Sequence, residues 1–496
     1  MIHLKERKFK WWNIVGYGAT DIFGNGALMV VSTWMLFFYT NFGGLNGVEA
    51  GSILAIARVA DAFISPVVGY MTDHFGATKL GKKFGRRRFF LLAGVPLMLI
   101  YILLWMPSMN YWYYLVSYIL VEALTAFVMV PYETLAAEMT TDYEMRTKMS
   151  SSRMIWSAIA TFLVSWLPGR FFALMGKNNP DAFLANGITL TVIFIITILI
   201  TYFTTWERSG EETIVGDKES SGPFSALKDV GSVFRVKSYV LHLIIYLLTF
   251  TARDIVGAVY VYFVVYAMKS NSVQASNLLT FGSIIGIPCN FIWPRVMTKF
   301  GPSKMLRIMY SIMFGTVIAY GILYVSPLVG TGTAIIFLYL LQITWGISNS
   351  GTGYVPWTVF TFIPDVDELI TTKRREGDFA GIMTFARKST SAIAPFMTGI
   401  VLDWFNFDGN AKVQAPGALD GLMIWLIAGV GIFLLIAWIT TYFFKLDKDN
   451  HAILIKEIER LKAGGSMGEV EPHTRAVCEN LTGMKYERLW GHNKVL

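Results

Sequence analysis

Long apolar runs recur along the whole chain, each near the length needed to cross a bilayer, and nothing else in the sequence constrains the fold as strongly. A spanning helix needs about 20 mostly apolar residues. About twelve runs qualify. Six lie near 12–40, 47–73, 88–107, 110–139, 149–175 and 183–205, and six near 238–267, 274–298, 303–326, 331–363, 378–404 and 420–444. Hydrocarbon supplies no hydrogen bonds, so a lone spanning segment must satisfy its own backbone as a helix. Charged residues make up 15% of the chain, against about 25% in soluble domains, so much of its surface faces something other than water.

The stretch Glu207 to Lys237 is polar and holds Gly210, Gly216, Ser220, Ser221, Gly222 and Pro223, the composition of a linker. The expected organisation is an N-terminal six-helix bundle at 1–206, a linker at 207–237, a C-terminal six-helix bundle at 238–447 and a tail at 448–496. A weak internal repeat supports two pseudo-symmetric bundles: Gly69–Gly76 closes the second run much as Pro294–Gly301 closes the eighth, each before a basic turn. The predicted fold class is an all-α membrane protein of twelve transmembrane helices. Parallel repeats of this kind mark secondary transporters, whose substrate sites lie where the repeats meet. In the tail, Ala452, Ile453, Ile455, Ile458 and Leu461 form one apolar helix face, read as a surface helix before a loose end.

The net charge of +8 would suggest nucleic acid in a soluble protein. Here the basic residues fall between apolar runs. Lys79, Lys82, Lys83 and Arg86–Arg88 follow the second run, Arg146 and Lys148 the fourth, and Lys373–Arg375 the tenth, whereas Gly43–Glu49, Pro107–Asn110 and Ser326–Gly332 carry no Lys or Arg. Positive loops stay in the cytoplasm. Both termini are therefore expected inside, in a multi-pass protein of the plasma (inner) membrane, with the lipid bilayer as partner and no nucleic acid. The two cysteines, Cys289 and Cys478, imply no disulfide framework. There is no Walker loop for a nucleotide-driven pump, no histidine cluster for a metal and no nucleophile–base pair, so an enzyme is not expected.

Charges inside the runs are the candidate functional groups, because each costs about 2.5–3.5 kcal/mol at the centre of a membrane helix. They are Asp21, Arg58, Asp61, Glu122, Glu133, Arg253, Asp254, Arg387 and Lys388. Arg58, Asp61 and Ser65 share a helix face, as do Asp21 and Asn25. Each is either a structural ion pair or part of a wet pathway. The structural reading leads for Glu122 and the functional one for Asp61 and Lys388. Trp345, Tyr354 and Trp357 could stack on a sugar ring, and Asn349 could bond a hydroxyl.

Three stretches then resemble a known family: Tyr17–Asn25 with Phe38–Asn41, Arg58–Asp61 through Pro66, Gly69 and Asp73 to Gly85–Arg88, and Pro131-Tyr132 with Asp142, Arg146 and Arg153. Asp365–Gly377 followed by Phe385 and Lys388 adds a match in the second half. Together they resemble the glycoside–pentoside–hexuronide:cation symporters of the major facilitator superfamily, typified by the melibiose permease. The resemblance implies twelve helices, alternating access and co-transport of H+ or Na+ with a small-molecule sugar or glycoside, with no cofactor and a monomeric state. It implies Asp61, Ser65 and Lys388 as cation-coupling residues. Substrate would meet Asp21, Asn25, Arg58, Tyr132, Glu133, Arg153, Arg253, Asp254, Trp345, Asn349, Tyr354 and Trp357. The cytoplasmic gate would hold Asp73, Arg86, Arg87, Asp142, Arg146, Asp365, Asp367, Arg374 and Glu376.

Departures from the family pattern matter. Ser65 stands where the melibiose type has a second sodium-site carboxylate, and Ile64 and Ala126 replace two further polar groups. Asn25 and Met129 replace its two sugar-binding aspartates. A sodium ion wants several oxygens, whereas a proton needs one buried carboxylate, so H+ is preferred over Na+. Several arginines make an anionic sugar such as a uronide one substrate class. A lipid or lysolipid transporter of the same fold and a non-transporting membrane sugar receptor remain alternatives.

Overall fold

The computed structural model describes residues 9–140, 143–176, 179–207, 233–372, 375–409, 411 and 414–492. Asp142 and Arg374 lie outside the described residues, as do the side chains of Asp73 and Glu376 and most of the expected linker. Among the described residues all regular structure is helical.

Eleven helical stretches among the described residues are long and apolar enough to span a membrane. The main helices are α1 (Trp11–Asn41), α2 (Gly47–His74), α3 (Arg88–Leu97), α4 (Tyr111–Met139), α5 (Tyr143–Met175) and α6 (Asp181–Thr204). Next come α7 (Lys237–Tyr262), α8 (Ser272–Phe300), α9 (Pro302–Val325), α10 (Gly332–Phe360) and α11 (Ile363–Thr371). The chain continues through α12 (Glu376–Ser391), α13 (Ile393–Trp404), α14 (Pro416–Phe443), α15 (Lys448–Lys462) and α16 (Pro472–Thr482).

Proline explains where the expected run at 378–404 divides and where α10 ends. Proline has no N–H and its ring clashes with the carbonyl four residues back. Pro395 thus breaks the run at 378–404 beside Ser391, where α12 ends. Pro364 does the same beside Phe360, where α10 ends, and sits comfortably in the first turn of α11. After Pro96 the third run tightens into a 3₁₀ helix, Met98–Trp105.

Packing divides the chain into two compact units. The first comprises Met1–Pro223, Gly257–Ser283 and Ala392–Leu422. In it α1 packs on α5 and α6, and α2 packs on α4 and α13. The α2–α13 contact is backbone on backbone: a methyl added to Gly399 would lie 2.1 Å from the Gly47 carbonyl oxygen, and one on Gly51 would lie 2.7 Å from that of Pro395. Small residues permit this approach between membrane helices. Asp403, near the end of α13, accepts the N–H groups of Gly47 at 2.6 Å and Val48 at 2.7 Å. It thereby satisfies free donors at the positive end of α2. An aromatic cluster around Phe183, with Trp34, Phe38, Trp105 and Phe172, fills the core.

The second unit comprises Phe224–Val256, Ile284–Ser391 and Met423–Leu496. In it α9 packs on α10 and α14. The tail is not a loose end. Leu454, Ile458 and Leu461 of α15 are buried, and the chain beyond α16 returns to α11, where the Trp490 and Gly491 amides donate to the Leu369 and Ile370 carbonyls at 2.8 and 3.0 Å. His451 meets Asp365 at 2.9 Å and Lys462 meets Glu368 at 2.5 Å. The expectation of a loose end after a surface helix failed because the element that the tail docks on, α11, lies nearly a hundred residues earlier.

Candidate functional site

In the first unit the intramembrane charges form two separate groups. Asp21 on α1 is held by Arg153 on α5, Nε to Oδ2 at 2.6 Å and Nη2 to Oδ1 at 3.1 Å. The Tyr132 hydroxyl on α4 donates to the same Asp21 Oδ2 at 2.8 Å. Arg153 lies over the Tyr132 ring, and Tyr132 stacks on Tyr17. The exposed carboxylate of Glu133 is 3.5 Å from the same guanidinium. Asp21, Tyr132, Glu133 and Arg153 are therefore brought together. Asn25, one turn beyond Asp21, instead bonds the Ser157 carbonyl and the Thr161 hydroxyl on α5.

The second group is Arg58 with Glu122, 3.2 Å apart and both nearly buried. Glu122, for which the structural reading leads, thus pairs with Arg58 in the same unit. One turn further along α2, the Ser65 hydroxyl donates to Asp61 Oδ1 at 2.9 Å, and Asp61 is buried. Among the described residues no cluster of three His, Cys, Asp or Glu side chains could hold a metal ion.

The second unit holds its own charged group. Asp254 on α7 pairs with Arg387 on α12 at 2.8–2.9 Å. Arg253 and Arg387 both lie over the Phe250 ring, at 4.8 and 5.1 Å. Arg253 also rests against Gly353 of α10, where an added methyl would meet its Nη1 at 2.9 Å. Trp345, Asn349, Gly353 and Trp357 follow one slanted i+4 ridge of α10. Trp357 meets Tyr246 edge-on at 5.6 Å. Tyr354 is half-buried on the same helix. Lys388 belongs to α12 in this unit, whereas Asp61 and Ser65 belong to the first. Arg387, Phe250 and Gly353 were not among the residues expected to meet substrate. The signal for Arg387 was its charge, which complements Asp254 from another apolar run.

Basic-loop residues also find partners that sequence reasoning missed. Arg86 and Arg87 meet Glu138 at the end of α4. Glu207 accepts the backbone N–H groups of Arg86, Arg87 and Arg88. Arg146 donates to the Thr140 carbonyl at 2.9 Å. Asp367, fully buried, receives a two-pronged bond from Arg375 at 2.6 and 2.9 Å. Glu138 and Glu207 thus hold this loop, while Asp142 and the side chain of Asp73 lie outside the described residues.

The fold is that of the major facilitator transporters. The chain superposes on the nucleoside transporter NupG with TM-score 0.61 at 13% identity, covering 87% of this chain and 98% of that one. It superposes on the D-xylose-proton symporter with TM-score 0.58 at 14% identity, covering 85% and 96%. The family described as MFS/sugar transport protein matches residues 16–448, and the chain belongs to it. Relatives include an uncharacterized symporter of Bacillus subtilis (25% identical, 92% of this chain and 97% of the relative). Others are the glucuronide carrier protein homolog of Escherichia coli (23%, 92% and 97%) and the isoprimeverose transporter of Lactiplantibacillus pentosus (25%, 88% and 89%). These findings agree with the resemblance to the glycoside–pentoside–hexuronide:cation symporters. The protein is a membrane transporter and not an enzyme.

Proposed function

We propose that this transporter imports a sugar or glycoside together with a cation, by alternating access of the six-helix halves 1–206 and 238–447, and that the coupled ion is H+. The observation that carries the choice of ion is Asp61, a buried carboxylate with a serine hydroxyl on one oxygen. One carboxylate suffices to carry a proton. A second carboxylate, which a sodium site would use, is replaced by Ser65. Lys388 is proposed as the second coupling residue. The names of the glucuronide carrier homolog and the isoprimeverose transporter support a glycoside as substrate.

Asp21, Tyr132, Glu133 and Arg153 form the proposed sugar contact of the first half, and the α10 ridge that of the second. The exposed Glu133 oxygen and the spare donors of Arg153 suit sugar hydroxyls. The basic loops are proposed to face the cytoplasm of the plasma membrane, with a monomer as the working unit. Uptake of labelled glycosides into proteoliposomes under an imposed proton gradient tests the reading. Asp61→Asn should abolish accumulation while leaving exchange of internal for external sugar. Accumulation that survives in Asp61→Asn, or that stops when potassium replaces sodium at fixed pH, would overturn H+ coupling through this residue.

A further inference from the structure

We infer that Arg253 is an oxyanion receptor, and that it gives this transporter a preference for sugars carrying a carboxylate or sulfonate over their neutral counterparts. The inference rests on the sugar-transport reading above and narrows its substrate class.

Charge counting comes first. Around the Phe250 ring stand two guanidiniums, Arg253 and Arg387, and one carboxylate, Asp254. Asp254 is engaged by Arg387 through both terminal nitrogens. Among the described residues, no hydrogen-bond or ion-pair partner meets Arg253. The group therefore carries one positive charge more than it neutralises, at a depth where the chain spans the membrane. A cation over an aromatic face gains about 0.5–2 kcal/mol. An ion taken from water loses several kcal/mol. The Phe250 contact thus offsets only part of the cost, and a guanidinium keeps its five donors for something else.

Geometry supplies the rest. Gly353 leaves the space that the guanidinium fills, since a methyl there would crowd Nη1. A glycine at this point of α10 makes room for the arginine and lets it approach the helix backbone. Arg253 is half-buried rather than sealed. Beside it, Trp357 is 53% exposed, and Tyr246 touches both Phe250, at a tilt, and Trp357, edge-on. An aromatic wall next to a planar two-pronged donor matches a ring that is apolar on its C–H face and bears an oxyanion at its edge. Arginine binds carboxylate through two parallel bonds, which a lysine cannot reproduce. A neutral sugar would leave the excess charge unanswered.

The test uses the full chain, purified in detergent and in proteoliposomes, with three matched probes: phenyl β-D-glucuronide, phenyl β-D-glucoside and the 6-sulfonate analogue of the glucoside. Binding is read by tryptophan fluorescence and uptake with labelled sugar. The wild type should bind one or both acidic probes at least tenfold more tightly than the glucoside, and the carboxylate-to-sulfonate ratio tells which oxyanion fits. Arg253→Gln should erase the acid preference, so that the acidic probes bind no more tightly than the glucoside does to the same variant. Arg253→Lys should restore only part of it. If Arg253→Gln melts early, Gly353→Val supplies a second variant that displaces the guanidinium without removing it, and it should also erase the preference. Equal binding of all three probes by the wild type, or a preference that persists in both variants, overturns the proposal. Uptake of the glucoside with no acid preference would sink the oxyanion site alone, whereas failure of every sugar to be taken up would sink the transport reading beneath it.

Discussion

Arg153 grips Asp21 with both prongs of its guanidinium, across 132 residues of sequence and from α5 to α1. The pair is braced by the Tyr132 hydroxyl on a third helix, so three helices of the first unit meet at one carboxylate. Breaking such a pair by removing one partner strands the other, at about 3–5 kcal/mol. Asp21→Ala should therefore lower the melting temperature in detergent more than the double variant Asp21→Ala/Arg153→Met does. Additive losses in that double-mutant cycle would mean the two residues act separately.

The α2–α13 seam should be intolerant of bulk. Gly399→Val places side-chain atoms where the Gly47 carbonyl already lies, so the helices must separate and the Asp403 bonds to Gly47 and Val48 lengthen. Asp403→Ala alone removes a cap, worth roughly 0.5–2 kcal/mol. Thermal unfolding should rank the variants with Gly399→Val the more damaging. An unshifted melt for Gly399→Val would show that this contact is not tight.

The docked tail should protect α11. Lys462 is largely exposed but its partner Glu368 is buried, so Lys462→Ala by itself should loosen α11 less than removal of the whole tail. Deleting 448–496 removes that pair, the His451–Asp365 pair and the two backbone bonds to Leu369 and Ile370 together. Hydrogen exchange of residues 363–371 should then accelerate at least tenfold. Unchanged protection there would mean that α11 holds its place without the tail.

Two titrations in the tail have opposite signs. Burial, aided by Glu457 and Glu479, pushes the Cys478 thiol up to about 12 from 9.0. Its neutral form supports docking fully below 9.0, and that support fades as pH climbs toward 12. Burial alone would raise Glu457, but bonds from Arg460 and the Tyr486 hydroxyl more than offset it and hold this carboxylate below 4.5. Its contribution is present above 4.5 and is lost as pH falls through the depressed value. In a Cys289→Ser background, 4,4′-dithiodipyridine, which still reacts with thiols in acid, should leave Cys478 untouched at pH 7.5 and should modify it once the pH drops far enough to release the tail. Prompt labelling at pH 7.5 would contradict a docked α16.

The sequence by itself determined the spans. Length and apolarity are local properties, so the runs near 183–205 and 303–326 emerge as Asp181–Thr204 and Pro302–Val325. It also exposed the intramembrane charges, because a charge in an apolar run needs no partner in view to be noticed. Which carboxylate each arginine takes was decided only by the tertiary structure. Helix periodicity places Arg58 and Asp61 on one face, yet Arg58 turns to Glu122 on another helix. Neighbouring Arg253 and Arg387 share one aromatic ring, and only Arg387 finds a carboxylate. Such pairings depend on which helices pack together and at what rotation, and these are set by the sum of many contacts distant in sequence. The docking of the tail on α11 belongs to the same class: its amphipathic face was visible in the sequence, and the surface that covers it was not.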